Sequence, residues 1–243
     1  MNFFSLMWFA SLVPHGLASG AESHCDLVAE KGICLFGGQK ILVPDATPKG
    51  LVARYTFNDA YVLDTSRNQN NPLGVVPTGP GVGNSAGGMF TGDIWLEVPD
   101  SPSLGASHLA NAFSVSLWFM LPDKPPTLAR CPLLVKGTSQ SHTFLGVFFD
   151  AAQGRLVGVA QQSPGAVHVV SNARPRPGVW MHVAFVKDAD HYTLYVNGVP
   201  DASAAVSGGV VDSGEALPLY MGASPWSVQQ QPQQQQKIQL LQQ

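Results

Sequence analysis

The chain has 243 residues, of which 45% are hydrophobic, and this allows one sizeable domain with short flanking segments. Charged residues make up only 12%, whereas Gly (25) and Pro (19) are abundant, which excludes a helical bundle or coiled coil and favours short strands joined by turns. A net charge of -3 gives no basic field for nucleic acid.

The N-terminus has the pattern of a secretory signal peptide. Residues 3–13 (FFSLMWFASLV) are almost continuously apolar, and Pro14, Gly16 and small residues follow. This run is shorter than the about 20 residues that a membrane span needs. No Lys or Arg precedes Lys31, a departure from the usual signal pattern. We expect residues 1–21 to be a signal peptide, the alternative being a hydrophobic strand or a short anchor in an intact chain. We expect the mature chain to lack a membrane span, which predicts a secreted or cell-surface protein.

A short lead-in, residues 22–50, contains two of the three cysteines. Cys25 and Cys34 are close enough in sequence to close a small loop in an oxidising compartment, and Cys131 is left over. The spacing does not decide the pairing, and other pairings stay open. A zinc site is disfavoured because no CxxC or His-x-His cluster accompanies the cysteines.

Residues 51–226 carry a recurring strand-and-turn pattern. In residues 113–119 (FSVSLWF), Phe113, Val115, Leu117 and Phe119 share one face, as in a half-buried strand. Further strands are predicted at 142–150, 154–161, 166–171, 179–187, 191–196, 199–206 and 217–221. Residues 104–112 are the one short helix that the pattern allows, and residues 79–83 (GPGVG) read as a flexible loop.

Turn chemistry separates these strands. Asn197-Gly198 is a strong two-residue hairpin signal after a strand that alternates. About ten to twelve short strands in roughly 170 residues predict an all-β fold, a two-sheet antiparallel sandwich. Residues 227–243 are Gln-rich and are predicted to be a disordered tail, because they offer little apolar surface to bury.

Several segments, in order, resemble the laminin-G-like jelly roll of the concanavalin A-like lectin/glucanase superfamily. The resemblance covers residues 51–226 and rests on residues 51–59 (LVARYTFND), 64–70 (DTSRNQN), 113–119 (FSVSLWF), 134–137 (LVKG), 178–185 (GVWMHVAF), 194–198 (LYVNG) and 219–222 (LYMG). Arg67 stands where the family usually has Gly. The resemblance implies a non-catalytic extracellular module that recognises a protein or a glycan. A carbohydrate-binding, lectin-like module attached to or derived from a glycoside hydrolase is the alternative.

Catalysis is disfavoured by the placement of the acids. The superfamily's glucanases carry carboxylates at alternate positions of one strand, since hydrolysis needs two carboxyl groups on one face. Strand segments 115–120 and 144–149 contain no Asp or Glu, and the pairs Glu97/Asp100 and Asp188/Asp190 fall in turns. We therefore predict that the chain is not an enzyme. His182 and His191 are expected to be structural rather than metal ligands.

Calcium is the candidate cofactor, and tryptophans are the candidate ligand platforms. Oxygen ligands for calcium cluster in one loop-rich segment, at Asp59, Asp64, Asn68 and Asn70, although an ordinary polar turn explains them as well. If the ligand is a sugar, the candidate stacking residues are Trp95, Trp118 and Trp226, each of which also fits strand packing.

Overall fold

The computed structural model describes residues 4–9, 27–28, 33–36, 39–42, 50–59, 61–91, 94–105, 109, 112–123, 128–139, 141–163, 165–208 and 216–227. Sixteen strands and one short 3-10 helix (Pro102–Leu104) lie within these residues. The strands are β1 (Phe4–Phe9), β2 (Leu27–Val28), β3 (Ile33–Phe36), β4 (Gln39–Leu42), β5 (Thr78–Pro80), β6 (Ala86–Phe90), β7 (Leu96–Val98), β8 (Phe113–Met120), β9 (Arg130–Gly137), β10 (Thr143–Asp150), β11 (Arg155–Gln161), β12 (Ala166–Val170), β13 (Trp180–Lys187), β14 (His191–Val196), β15 (Val199–Ala205) and β16 (Leu219–Met221).

Two large antiparallel sheets form the body of the fold, which confirms the predicted all-β jelly-roll sandwich. The seven-stranded sheet has the order β15-β14-β13-β8-β1-β6-β5, and the six-stranded sheet has the order β12-β11-β10-β9-β16-β7. A three-stranded sheet, β2-β3-β4, comes from the lead-in. Within the described residues, no helix has the length and apolar character that a membrane crossing requires.

The hydrophobic core lies between the two large sheets. Strand β8 shows why: its residues alternate strictly between buried and partly buried along all eight positions. Leu117 and Phe119 from this sheet join Leu156 and Ala160 of the opposite sheet in one buried cluster. The alternation that predicted the strand therefore also identifies its core-facing side.

The six-stranded sheet is apolar on both faces. All eight residues of β10 are buried, as are most residues of β9 and β11. A second cluster lies on the side away from the core, where Val157 and Val159 of β11 meet Phe148 of β10. We call this side the outer face of the six-stranded sheet.

The hairpin between β14 and β15 turns at the predicted dipeptide. Asn197 and Gly198 have φ angles of 50° and 80°, the positive values that a tight two-residue hairpin turn requires. The Asn197 side chain also accepts a hydrogen bond from the backbone N–H of His182 at 2.9 Å. The turn residue thus fixes the hairpin to the neighbouring strand.

One sequence expectation needs correction. Residues 79–83 are not an independent flexible loop: Gly79 and Pro80 belong to β5, and Gly81 N–H donates to the Ser85 carbonyl at 2.8 Å in the turn that leads into β6. His182 and His191, which were expected to be structural, lie apart: His182 lies by the Asn197 turn and His191 lies at the opposite end of the hairpin.

Other expectations fall outside the described residues in part or whole. The described residues at the predicted 104–112 helix are Leu104, in the 3-10 helix, Gly105, Leu109 and Ala112. Residues 228–243 of the predicted tail and Cys25 of the predicted disulfide lie outside the described residues. The signal peptide and the domain boundaries stay predictions, although Phe4–Phe9 pairs as β1.

Candidate functional site

The candidate site is the outer face of the six-stranded sheet, because two of the three tryptophans predicted as stacking residues pack against its apolar cluster. Trp95 and Trp226 are partly buried and pack against the same cluster, which includes Tyr220. Trp226 meets Tyr220 edge to face, with ring centroids 5.4 Å apart and planes at 89°. Burial, with the charge of Glu97 as the lesser cause, raises the pKa of Tyr220. The phenol therefore stays protonated as a hydrogen-bond donor.

Trp118 lies elsewhere. It is on β8 of the seven-stranded sheet, on the side opposite Leu117 and Phe119, which face the core. Its ring contacts His182 of β13, with centroids 5.2 Å apart. Burial lowers the pKa of His182, so this ring is neutral and packs as a structural group. Trp118 therefore belongs to a different surface from Trp95 and Trp226.

The outer face continues from the tryptophan cluster into a small cavity of about 50 Å³. Phe148 is shared by the cluster and the cavity, and it is only 6% exposed. The Arg130 guanidinium lies 5.7 Å from the centre of the Phe148 ring, a cation–π distance. Gln161 and His168 supply further polar groups to the cavity wall. This surface combines an apolar floor with a few polar groups at its edge.

Strand register explains why these side chains meet. Gly146 is the Cα partner of Val135 on one side and of Val159 on the other, and Val159 is in turn the partner of His168. A Cβ at Gly146 would overlap the Phe148 ring. The glycine therefore leaves the space that the Phe148 ring occupies over the sheet.

Arg130 places a positive charge close to His168 at this end of the sheet. Burial, followed by the charge of Arg130, lowers the pKa of His168. At neutral pH His168 is consequently an uncharged imidazole that can donate or accept a hydrogen bond. Arg130 and His168 together with Gln161 offer the donors and acceptors that sugar hydroxyls require.

Sequence reasoning missed Arg130, Phe148, Gln161 and His168. The run at 144–149 is apolar at nearly every position, so no alternation indicates that Phe148 faces away from the core. The detectable signal was Gly146, since a glycine within a strand often marks a close approach. Only the pairing of β10 with β11 shows which residues share that face.

The predicted calcium segment is built around Asp64. One carboxylate oxygen accepts the backbone N–H groups of Arg54 (2.9 Å) and Ser66 (2.8 Å). The other oxygen accepts the Asn70 backbone N–H (2.8 Å) and the Ser66 hydroxyl (2.7 Å). Asp64 thereby holds the loop together through its own hydrogen bonds.

The remaining predicted ligands have related roles. The side-chain amides of Asn68 and Asn70 donate to the Val52 carbonyl at 2.8 and 3.0 Å, and the Asn70 side-chain oxygen accepts the Ser101 hydroxyl at 2.6 Å. Asp59 is exposed. No group of three or more His, Cys, Asp or Glu in the described residues has the geometry of a metal site. Calcium binding stays a prediction, and it would have to compete with these hydrogen bonds.

Glu97 lies within strand β7 rather than in the predicted turn, whereas Asp188 and Asp100 have structural partners. The Asp188 carboxylate accepts the backbone N–H groups of Asp190 (2.9 Å) and His191 (2.7 Å), and these bonds lower its pKa. Asp100 forms an ion pair of 2.6 Å with Lys136, whose pKa burial lowers. These contacts stabilise turns and strand ends. The prediction that the chain is not an enzyme stays a prediction.

Comparisons with known proteins agree with this architecture. A laminin G model of the concanavalin A-like lectin/glucanases superfamily matches residues 90–233. No curated protein matches the chain. Among solved structures, domain 4 of AbnA, an extracellular GH43 arabinanase from Geobacillus stearothermophilus in complex with arabinotriose, is similar with a TM-score of 0.58 and 20% identity, covering 72% of this chain and 84% of that one.

Two further structures are similar at lower scores. Domains LG4-5 of the mouse laminin alpha1 chain align with 16% identity and a TM-score of 0.41, covering 62% of this chain and 35% of that chain. The binding domain of botulinum neurotoxin DC in complex with SialylT aligns with 15% identity and a TM-score of 0.49, covering 69% and 42%.

Proposed function

Because the chain belongs to the concanavalin A-like lectin/glucanases superfamily, we propose that it is a non-catalytic recognition module that binds a glycan on the outer face of its six-stranded sheet. The observation that carries this proposal is that Trp95 and Trp226 pack against one cluster, which contains Tyr220, beside the cavity lined by Arg130 and His168. We further propose that the module acts outside the cell, in keeping with the predicted signal peptide.

The chemistry of the face suits a sugar. Aromatic rings offer apolar surface to the C–H faces of a sugar ring, and tryptophan adds an N–H donor. Ligand sites of this type pair a mainly apolar surface with a few polar groups that fix orientation. Arg130, Gln161 and His168 are such groups. The arabinotriose complex of the similar arabinanase domain supports an oligosaccharide as the first ligand to try.

A protein ligand is the competing possibility. A matched pair of variants distinguishes binding on the outer face of the six-stranded sheet from binding on the seven-stranded sheet. We expect isothermal titration calorimetry with arabinotriose and a panel of plant and animal oligosaccharides to find a ligand for the wild-type chain. Trp226→Ala should weaken its affinity by about tenfold or more, as truncation of a central aromatic residue does. Trp118→Ala should change the affinity by less than about twofold, because Trp118 lies on the other sheet.

Circular dichroism of both variants serves as the control for folding. An equal loss of affinity in the two variants would contradict binding on the outer face. Absence of binding to every oligosaccharide at millimolar concentration would contradict a glycan ligand.

A further inference from the structure

The cavity lined by Arg130 and His168 is too small for a whole sugar ring. Its volume of about 50 Å³ is of the order of one or two water molecules and far below the roughly 300 Å³ at which pockets for small-molecule ligands begin. A cavity of this size admits one substituent of a ligand. A sugar bound on the outer face would therefore keep its ring on the surface and direct a single substituent into the cavity.

The charge inside the cavity comes from one side chain. Among the described residues that line the cavity, Arg130 is the one Lys, Arg, Asp or Glu. An arginine side chain stays protonated in proteins, so this positive charge is permanent. Burial and the charge of Arg130 lower the pKa of His168, and the neutral imidazole adds a polar group without adding charge. The substituent that enters the cavity therefore meets a positive charge.

The neighbouring charges do not occupy Arg130. Asp150 is its Cα partner, but the two carboxylate oxygens of Asp150 accept the backbone N–H (3.0 Å) and the side-chain amide (3.3 Å) of Gln153. Arg155, the Cα partner of Asp150 on the other side, donates to the Ser171 carbonyl at 2.7 Å. Within the described residues, Arg130 has its ring contact to Phe148 and no ion pair. The guanidinium N–H groups of Arg130 are therefore open to a ligand.

Strand register places the cavity at one end of a row that crosses the outer face. Successive Cα partners on five adjacent strands form this row: Tyr220, Val135, Gly146, Val159 and His168. Four strand spacings of about 4.8 Å make the row about 19 Å long, so a ligand that contacts both ends is an oligosaccharide. Glu97 is the next Cα partner beyond Tyr220. A negative substituent is consequently favoured at the Arg130 end and disfavoured at the Glu97 end.

We propose, on the basis of the glycan binding proposed above, that the ligand is an acidic oligosaccharide and that the carboxylate of a uronic acid unit enters the cavity and pairs with Arg130. The planar guanidinium offers parallel N–H donors that match the two oxygens of a carboxylate. Gln161 and His168 can donate to the same group. A uronic acid fits the small volume because its carboxylate is attached directly to the ring.

Calorimetry of the full chain with two trisaccharides that differ in one group tests this class of ligand. One trisaccharide ends in glucuronic acid and the other ends in glucose, so a carboxylate replaces a hydroxymethyl group. Wild type should bind the acidic trisaccharide about tenfold more tightly or better, as a hydrogen bond between charged groups predicts. Equal affinities would overturn the acidic class and leave the glycan proposal intact. Binding of neither would also overturn the acidic class, and the oligosaccharide panel then decides separately on glycan binding.

Arg130→Gln and Arg176→Gln form a matched pair, since each variant removes one positive charge. Arg130→Gln should bind the acidic trisaccharide about tenfold more weakly and the neutral one within about twofold of wild type. Arg176 is exposed in the connection between β12 and β13, so Arg176→Gln should leave both affinities within about twofold of wild type. Equal losses in the two variants would indicate an effect of overall charge and contradict binding at Arg130.

Two further measurements on wild type need no variant. Raising the salt from about 0.1 M to about 1 M shortens the screening length from about 10 Å to about 3 Å and should reduce the preference for the acidic trisaccharide about threefold. A preference that is independent of salt would contradict an ion pair. A trisaccharide with a sulfate ester in place of the carboxylate should bind more weakly, because the sulfate is bulkier and is not planar. Tighter binding of the sulfated trisaccharide would overturn the assignment to a uronic acid.

Discussion

Cys131 illustrates how burial sets the chemistry of a single side chain. It is 2% exposed, and its thiol lies 3.4 Å from the Leu128 carbonyl. Burial, followed by the charge of Asp150, raises the pKa of the Cys131 thiol to about 12. The reactive form of cysteine is the thiolate, so this thiol is inert near neutral pH and acts as a small core residue.

This raised pKa predicts an alkaline loss of stability. The unfolded thiol releases its proton near pH 9.0 and the folded thiol near 12, so the stabilisation is complete below pH 9.0 and is lost as the pH rises toward 12. Between about pH 8 and about pH 10, wild type should lose about 1 kcal/mol more free energy of unfolding than Cys131→Ala. Urea denaturation of both proteins measures this difference. Buried tyrosines lower the free energy of unfolding of both proteins over the same pH range. Equal slopes of unfolding free energy against pH in the two proteins would therefore contradict the role of Cys131.

The Asp64 segment shows what could not be predicted at this scale. The sequence correctly indicates that Asp64, Asn68 and Asn70 share a polar loop. It does not indicate that the backbone N–H groups of Arg54 and Asn70 point toward the Asp64 carboxylate. The hydrogen bonds from these groups are what allow the carboxylate to hold the loop together. Residues close in sequence can be grouped from their pattern, whereas partners that folding brings from another segment cannot.

Among the elements, the β14–β15 hairpin was predictable because its signal is local. Alternation along β14 and the Asn197-Gly198 dipeptide together specify strand, turn and return strand. Strand β10 is the opposite case, since its continuous apolar run predicts a strand but not the faces of Phe148 and Phe149. The run that forms strand β1 was predicted to be a signal peptide, with a strand only as the alternative, because an apolar N-terminal run has the same pattern in a leader and in a central strand.

Substitutions at Asn197 separate its two roles in that hairpin. Asn197→Gly keeps the positive φ but loses the bond to the His182 N–H, and should cost about 1 kcal/mol. Asn197→Ala loses that bond and also strains the backbone, so it should cost about 2 to 3 kcal/mol. Urea denaturation gives both values. If alanine were no worse than glycine, the positive φ would not be what selects asparagine here.

At the scale of the whole molecule, the two outward sheet faces have different characters. The six-stranded sheet carries a second apolar cluster with Trp95 and Trp226 and a cavity edged by Arg130 and His168. On the seven-stranded sheet, Trp118 is matched with His182 in a local ring contact. The pattern of strands and turns predicted the fold class. The face proposed to bind the ligand could be chosen only from the strand order of both sheets.

Nuclear magnetic resonance titration of the isotope-labelled full chain with arabinotriose tests the central claim most directly. The account predicts saturable chemical-shift changes at amides of β9 to β12 and at Tyr220 and Trp226, with little change in β13 to β15. Saturable changes confined to the seven-stranded sheet or to residues 78–86 would contradict it, as would no change at millimolar arabinotriose and at equal concentrations of the other oligosaccharides in the panel.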